Sequence, residues 1–280
     1  GHEVSQGELE RRRYRVHQQI QSTITSLIST IVFVVVIVIG LKLSPGWPRV
    51  KETFFSGEYF VKSFPHVLDG LWLNIRVLLV AVVGVAILST LIALVRTSRS
   101  PILFPLRILA LIYTTVMRGV PIIVVLYLIG FGIPGLGLFG RIDPSVLGTI
   151  AVVMGYSAYV SEVLRAGFND VHPSQRASAR SLGLTSGQTT RLIVIPQALR
   201  KVAPALMNDF ISMQKDVGLI SVLGAVDAVR AAQIDVASTY NFTPYVVASL
   251  LFILMSVPFI LLNDWYTERL RKRELSGGTV

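Results

Sequence analysis

Ionisable side chains interrupt two of the apolar runs in this sequence, and they are the residues best suited to do chemistry. Arg118 interrupts one run, and Asp209, Lys215 and Asp216 interrupt another. Placing such a group inside a bilayer costs at least about 2.5–3.5 kcal/mol, so intramembrane charges are functional candidates by default. Because Asp209 and Asp216 are seven residues apart, both carboxylates lie on one face of a helix.

These groups match the two charges of an amino-acid zwitterion. Arg118 offers a planar guanidinium for a carboxylate, and Asp209 or Asp216 can meet the ammonium. Tyr156 and Tyr159 lie one helical turn apart near the middle of an apolar run, so they can line the same path. The alternative is an interhelical salt-bridge cluster, formed by the basic and acidic members of this set, that holds the helices together. One cluster can do both.

Two further features concern the helices that carry these groups. Gly119 and Pro121 follow Arg118, which predicts a local helix break that frees backbone groups to line a cavity. Glu162 and Arg165 form an i,i+3 pair on one helix face. This pair is predicted to stiffen the helix that leads into the polar segment after it, and a role as a gate in contact with substrate is the alternative.

Three common nucleotide-binding and catalytic motifs are missing from the sequence. It has no G-x-x-x-x-G-K-[ST], H-E-x-x-H or G-x-S-x-G, and no pair of histidines at ligand spacing. Cysteine is absent, so disulfides and thiolate metal sites are excluded. We therefore expect no catalytic residue, no metal site and no nucleotide bound by this chain.

The composition is that of an integral membrane protein. Of 280 residues, 52% are hydrophobic and 15% charged, and the mean hydropathy is +0.64; soluble domains carry roughly 25% charged residues. A span needs about 20 apolar residues. Six runs approach this length and predict an all-α protein with six transmembrane helices: 24–41, 77–95, 108–130, 145–161, 202–226 and 236–263.

The distribution of basic residues predicts the orientation. With the N-terminus inside, the cytoplasmic segments hold 17 Lys and Arg and the outer segments hold 6. This bias fits the positive-inside rule with both termini cytoplasmic. The net charge of +10 is therefore an orientation signal, and no nucleic-acid partner is expected. The run 24–41 is longer than the hydrophobic core of a signal peptide, so it is kept as a span.

The polar segment 162–196 between two apolar runs predicts a helical elbow on the cytoplasmic side. Pro173 suits the first position of a helix, and Gly183 is placed to end it. Thr185 or Ser186 can cap a second short helix that runs to residue 192, and Pro196 then falls in the first turn of the next span. The alternative is a solvated amphipathic loop on the membrane surface.

Five ordered motifs, spread over roughly residues 64–265, resemble those of bacterial ABC importer permeases. The segment 177–196, ASARSLGLTSGQTTRLIVIP, resembles the family's EAA loop, which reads E-A-A, three residues, G, nine residues, I-x-L-P. EVLRAG (162–167) and PQALR (196–200) resemble the motifs that precede and follow this loop. The pair NDFI (208–211) and KDVGL (215–219), and MRGVP (117–121), resemble motifs of the family's polar amino-acid uptake branch. Two departures are Ala177 in place of the motif's Glu and Gly218 in place of its Ser.

The resemblance implies a five-span permease core preceded by one additional N-terminal span. It divides the chain into a cytoplasmic basic lead (1–20), the extra span with an outer segment (21–65), the core (66–265) with a coupling loop (168–195), and a cytoplasmic basic tail (266–280). In such permeases the loop forms coupling helices that dock on an ATPase. The residues implied in that contact are Ser174, Arg176, Ala177, Ala179, Arg180, Leu182, Gly183 and Leu184.

The function implied is import of a polar or charged amino acid, or a close analogue, by alternating access across the bacterial cytoplasmic membrane. The implied partners are two ATP-binding cassette subunits, a second permease copy or paralogue, and an extracytoplasmic substrate-binding protein. ATP and Mg²⁺ would be bound by the ATPase, and this chain would hold no cofactor. The alternatives are an ion-coupled secondary transporter that uses Arg118, Asp209 and Asp216 as a relay, and a non-transporting membrane scaffold.

Overall fold

The structure is a computed structural model that describes residues 5–171 and 173–277, and all regular elements within these ranges are helical. The ends of the predicted basic lead and basic tail, and one residue of the predicted coupling loop, lie outside them. The chain divides into two compact units, one up to Phe55 and one from Ser56 onward. The predicted boundary at 65/66 falls inside a helix that begins at Gly57.

The first unit contains two helices, α1 (Gln6–Leu43) and α2 (Trp47–Phe54). α1 is long and apolar enough to span a membrane, and none of its side chains is buried. Apolar residues surround its membrane segment on every side, as is usual for a helix that lipid surrounds. Pro48 lies in the first turn of α2, where its missing N–H costs no helical hydrogen bond.

The second unit contains nine α-helices in the described ranges. Short 3-10 turns at Pro101–Leu103 and Val217–Leu223, and one π-helical turn at Thr190–Val194, connect or extend them. The helices are α3 (Gly57–Thr97), α4 (Phe104–Gly119), α5 (Ile122–Gly135), α6 (Pro144–Asn169), α7 (Pro173–Ser181), α8 (Ser186–Thr189), α9 (Ile195–Asp216), α10 (Ala228–Thr239) and α11 (Thr243–Gly277).

α6 is the central helix of this unit and packs against α3, α4, α5 and α9. Asp143 caps its N-terminus and accepts hydrogen bonds from the hydroxyl and the backbone N–H of Ser145, at 2.7 and 2.8 Å, which lower the pKa of this carboxyl. Gly155 allows α5 to approach closely, because a Cβ there would lie 2.7 Å from the Cδ1 atom of Ile122.

A buried polar clamp holds the start of α10 against α3. The amide nitrogen of Asn74 donates to the Val217 carbonyl at 3.2 Å and to Oδ2 of Asp227 at 2.9 Å. The amide oxygen of Asn74 accepts from the backbone N–H of Ala228 at 2.9 Å. Asn74 and Asp227 are fully buried, and Gly70 lets the Asp227 backbone approach, since a Cβ there would lie 2.4 Å from the carbonyl.

The predicted spans need three corrections. The run 108–130 is two helices, because α4 ends at Gly119 and α5 begins at Ile122; the predicted break at Gly-Val-Pro is present. The run 202–226 leaves the α-helix at Asp216 and ends in a left-handed Gly224 with φ of 89°. The run 236–263 is divided at Tyr240, whose φ of 57° ends α10.

The number of spans therefore depends on how the bent segment is counted. Five helices in the described ranges are long and apolar enough to cross a membrane. A sixth crossing results if Ser186–Leu223 and Ala228–Thr239, bent by 50°, are taken as one span. The prediction of an all-α membrane protein is confirmed, whereas the count of six stays a prediction.

Candidate functional site

A polar cavity of about 270 Å³ lies inside the second unit where α4, α5, α6 and α9 meet. Apolar residues from the α4–α5 junction form one wall, and the polar groups come from α6 and α9. The polar lining residues are Tyr156, Tyr159, Asp209, Ser212 and Asp216. Ligand pockets in proteins are commonly about 300–1,000 Å³, so the cavity is suited to a molecule no larger than a small metabolite.

The two aspartates lie on the cavity face of α9, as their spacing predicts. Asp216 accepts a hydrogen bond from the hydroxyl of Tyr156. The Oδ2 atom of Asp209 is buried and has no hydrogen-bond partner in the described part of the chain. Because an unsatisfied buried carboxylate oxygen is costly, Asp209 is ready to accept a donor from a ligand.

The N-terminus of α5 forms another part of the cavity lining. Val120, Pro121 and Ile122 line the cavity, and Pro121 provides no side-chain cap. The first N–H groups of a helix have no acceptor within it, and the helix dipole makes this end attractive to anions. The cavity thus has carboxylates on one wall and a positively polarised helix end on another.

Tyr156 and Tyr159 join α6 to this arrangement. Their ring centroids are 6.5 Å apart, and Tyr156 is buried whereas Tyr159 is 43% exposed. The hydroxyl of Tyr159 donates to the backbone carbonyl of Arg118 at 3.2 Å. The second tyrosine therefore contacts the last turn of α4, next to the helix break.

Two predicted members of the site lie elsewhere. The guanidinium of Arg118 does not line the cavity, is about half exposed, and lies 3.9 Å from the carboxylate of Glu162. Lys215 is exposed and projects from a different face of α9 than its neighbour Asp216, because adjacent helical residues diverge by about 100°. In the described part of the chain neither aspartate of the cavity is ion-paired, so the predicted salt-bridge cluster is not formed.

The carboxylate of Glu162 lies close to three arginines, one each from α3, α4 and α6. The pair with Arg165 is present at 2.9 Å, as the i,i+3 spacing predicts. Arg96, at the end of α3, also contacts this carboxylate and donates to Thr114 at 3.3 Å. The sequence reasoning missed Arg96; its only local signal was a basic residue in the last turn of a helix, where the dipole favours a cation.

The elbow after α6 forms largely as predicted. α7 is followed by Gly183 with φ of 82°, a left-handed conformation that suits glycine. The backbone N–H of Leu184 donates to the Ala179 carbonyl at 3.1 Å, and that of Gly183 donates to the Arg180 carbonyl at 3.0 Å. Thr185 and Gln188 then form a reciprocal capping box at the start of α8.

The predicted coupling residues divide between two faces of the elbow. Ala179 is buried, Leu184 is half-buried, and Arg176 donates to the Phe168 carbonyl at 3.1 Å, so these residues fix the elbow to the bundle. The side chain of Leu182 is 81% exposed at the tip of the turn. The other exposed members are Ser174, Ala177, Arg180 and Gly183.

The second helix of the elbow is not separate from the span that follows it. The π-helical turn directly joins α8 to α9, and the N–H of Ile195 donates to the Thr190 carbonyl five residues before it. Pro196 lacks an N–H and cannot complete a regular helical hydrogen bond. A π turn at this point absorbs the missing bond, so the helix continues through the proline.

Comparison with known proteins identifies the family to which this chain belongs. A family model described as the binding-protein-dependent transport system inner membrane component matches residues 101–272, which include the cavity and the elbow. The chain belongs to this family. Such permeases are multi-pass inner-membrane transport components rather than enzymes, and they work with a substrate-binding protein and an ATPase.

Individual relatives support the assignment. The putative glutamine transport system permease protein GlnP of Rickettsia conorii is 31% identical over 210 residues, covering 72% of this chain and 94% of that protein. The arginine transport system permease protein ArtQ of Bacillus subtilis is 28% identical over 215 residues, covering 76% and 96%. A solved amino acid ABC transporter with histidines has a TM-score of 0.66 and 35% identity, covering 75% of this chain and 96% of its own.

Proposed function

We propose that this permease imports an amino acid by alternating access, driven by separate ATPase subunits, and that the cavity between the α4–α5 break, α6 and α9 is its substrate site. The observation that carries the proposal is the unpartnered Asp209 carboxylate oxygen in a small cavity that Asp216 also lines. The relatives named for arginine and glutamine transport supply the substrate class.

The charges of the cavity suit the two ends of an amino acid. The substrate's ammonium would bind the open carboxylate of Asp209. Its carboxylate would bind the uncapped N-terminus of α5, in the way that broken membrane helices bind anions elsewhere. Since no basic side chain lines the cavity in the described residues, neutral or cationic amino acids are favoured over acidic ones.

The exposed tip of the elbow is the proposed ATPase contact. Leu182 and Gly183 would enter a groove on the ATPase, and closure of two ATPase subunits would move the elbow and open the cavity outward. Two permease chains, identical or paralogous, would form the complete pathway with two ATPase subunits and an extracytoplasmic binding protein. Both termini and the elbow would then be cytoplasmic.

Reconstituted uptake tests the substrate site. Proteoliposomes would hold the permease with its ATPase and binding protein, and uptake of labelled arginine, glutamine and glutamate would be measured. The variant Asp209→Asn is compared with Lys215→Gln, an exposed neighbour on the same helix that lies outside the cavity. We expect Asp209→Asn to lower uptake at least about tenfold, because a charged hydrogen bond contributes roughly 1.5–3 kcal/mol, and Lys215→Gln to leave it unchanged.

Two results would contradict the proposal. Equal uptake in Asp209→Asn and the wild type would remove the cavity from the substrate path. Uptake that needs a proton gradient and proceeds without ATP would instead support an ion-coupled transporter, and the family's ATP-driven mechanism would not apply to this chain.

A further inference from the structure

Two adjoining cavities at the elbow end of the second unit form a strongly basic cleft. One, of about 470 Å³, lies between the end of α3, the start of α4 and the end of α6. The other, of about 580 Å³, extends to α7, and the two share Thr97, Ser98, Arg99 and Asn169. Six arginines line this arginine cleft: Arg96, Arg99, Arg107, Arg165, Arg176 and Arg180.

The positive charge of the cleft is poorly compensated. No aspartate or glutamate lines either cavity among the described residues. In the same part of the chain, Glu162 is the only carboxylate ion-paired with any of the six arginines, through Arg96 and Arg165. Four of the six arginines are therefore left without an ion-pair partner in the described residues, and such a concave cationic surface attracts anions.

The arginines differ in how far the protein itself uses them. Arg107 donates to the carbonyls of Ser98 and Ser100, at 2.9 and 2.7 Å, and thereby fixes the turn between α3 and α4. In the described part of the chain the guanidinium groups of Arg99 and Arg180 make no hydrogen bond or ion pair. These two residues line the same cavity from different elements, one after α3 and one on α7, so their guanidinium donors are available to a ligand.

The surface next to the cleft is apolar. In the 3-10 turn before α4 the side chain of Ile102 is 86% exposed, and Phe104, Leu106 and Leu109 in α4 are exposed as well. A cationic recess next to exposed apolar residues, at the end of a membrane-spanning bundle, matches a phospholipid: phosphate in the recess and acyl chains on α4. Basic pockets between transmembrane helices bind anionic headgroups in this way.

We propose that the arginine cleft binds the headgroup phosphate of an anionic phospholipid. Guanidinium groups bind phosphate oxygens with paired hydrogen bonds, and Arg99 and Arg180 would both contact the phosphate. A lipid held between them ties α7 to the α3–α4 turn. The lipid would therefore support the elbow, although its binding does not depend on the amino acid transported.

Native mass spectrometry of the isolated permease tests this proposal directly. Delipidated chain in a neutral detergent is titrated with phosphatidylglycerol and, in parallel, with zwitterionic phosphatidylcholine. The variant Arg99→Gln/Arg180→Gln is compared with Arg191→Gln/Arg200→Gln, two exposed arginines of the same end that lie outside the cleft and have no partner in the described residues. Arg99→Lys/Arg180→Lys retains both charges and reports on folding.

We expect the wild type to prefer phosphatidylglycerol. Affinity should fall about fivefold for each arginine removed from the cleft, remain unchanged in the control pair and be largely retained in the lysine variant. Equal binding by all variants would overturn the proposal. Displacement of the lipid by equimolar inorganic phosphate would assign the cleft to free phosphate instead. If the Arg99→Gln/Arg180→Gln variant loses binding of the ATPase subunit in lipid-free detergent but still binds lipid, the cleft is a contact with that protein instead.

These readouts are independent of transport. The titration uses neither the ATPase, the binding protein nor an amino acid, so it can fail while uptake succeeds. Conversely, a chain that binds phosphatidylglycerol through Arg99 and Arg180 but carries no amino acid would retain the lipid site and lose the proposed function.

Discussion

The hydroxyl of Tyr156 on α6 donates a hydrogen bond to the carboxylate of Asp216 on α9, sixty residues later in the chain. The bond links the central helix to the helix that continues from the elbow. It also fixes one of the two carboxylates of the cavity. Asp209, seven residues earlier on the same face of α9, keeps a carboxylate oxygen without a partner in the described residues. The two aspartates of the site therefore differ, one held by the protein and one open to a ligand.

Replacing Tyr156 by Phe should lower uptake about tenfold. The ring would still fill its place, but Asp216 would lose a buried donor, a change that costs roughly 1–3 kcal/mol. Initial uptake rates in proteoliposomes check this. Tyr159→Phe is the matched control, because its hydroxyl reaches only the Arg118 carbonyl, and we expect a smaller effect. Identical losses in both variants would show that the Asp216 bond has no special role.

Replacing Glu162 by Gln should destabilise the protein strongly. Arg96 and Glu162 are 12% and 18% exposed, and removing one partner of such a pair costs about 3–5 kcal/mol. Thermal unfolding in detergent measures the loss. The double variant Arg96→Gln/Glu162→Gln should lose less stability than the sum of the two single losses, since the buried Arg96 charge is then no longer left without its carboxylate. Simple additivity would mean that the pair does not interact.

Replacing Asn74 by Leu should weaken the clamp between α3 and α10. The change leaves the buried Asp227 carboxylate and the Ala228 N–H without their partner, at roughly 1–3 kcal/mol for each unsatisfied group. A lower midpoint of thermal unfolding is the expected result. Leu79→Ala on the same helix, where the side chain is 60% exposed, should shift the midpoint far less. A larger shift in the control would refute the clamp.

Replacing Gly183 by Val should disrupt the elbow, whereas Gly183→Asn should be tolerated. A left-handed backbone costs an ordinary residue roughly 1–2 kcal/mol and is easier for asparagine. Nothing lies within 4 Å of a Cβ at this position, so the difference between the variants reports on conformation rather than on crowding. Co-purification with the ATPase subunit is the measurement, and equal retention of the ATPase by both variants would contradict the expectation.

Local sequence signals predicted the features that depend on neighbours in the chain. Gly119 and Pro121 predicted the break between α4 and α5, and Gly183 and Thr185 predicted the turn of the elbow. These features follow from backbone preferences and from missing or added hydrogen bonds within a few residues. The predicted end of the second elbow helix was wrong because a π turn, which no local preference specifies, carries the helix through Pro196.

Contacts between residues far apart in the sequence could not be predicted in the same way. The sequence marked Arg118, Lys215 and the two aspartates as one charged set, but spacing along a helix does not say which face meets which neighbour. The structure places Arg118 against Glu162 and leaves Lys215 exposed. Asn74, whose partner Asp227 lies 153 positions later, gave no signal beyond a single amide in an apolar run.

The sequence by itself determined that this chain is an all-helical membrane protein with a polar elbow, because apolar length, charge distribution and helix-ending residues are local properties. Only the tertiary structure decided which charges share a cavity, which arginines surround Glu162 and which are left to form a basic cleft. Those outcomes depend on the rotation of each helix and on its packing against partners far along the chain, and side-chain packing fixes both only when the bundle assembles.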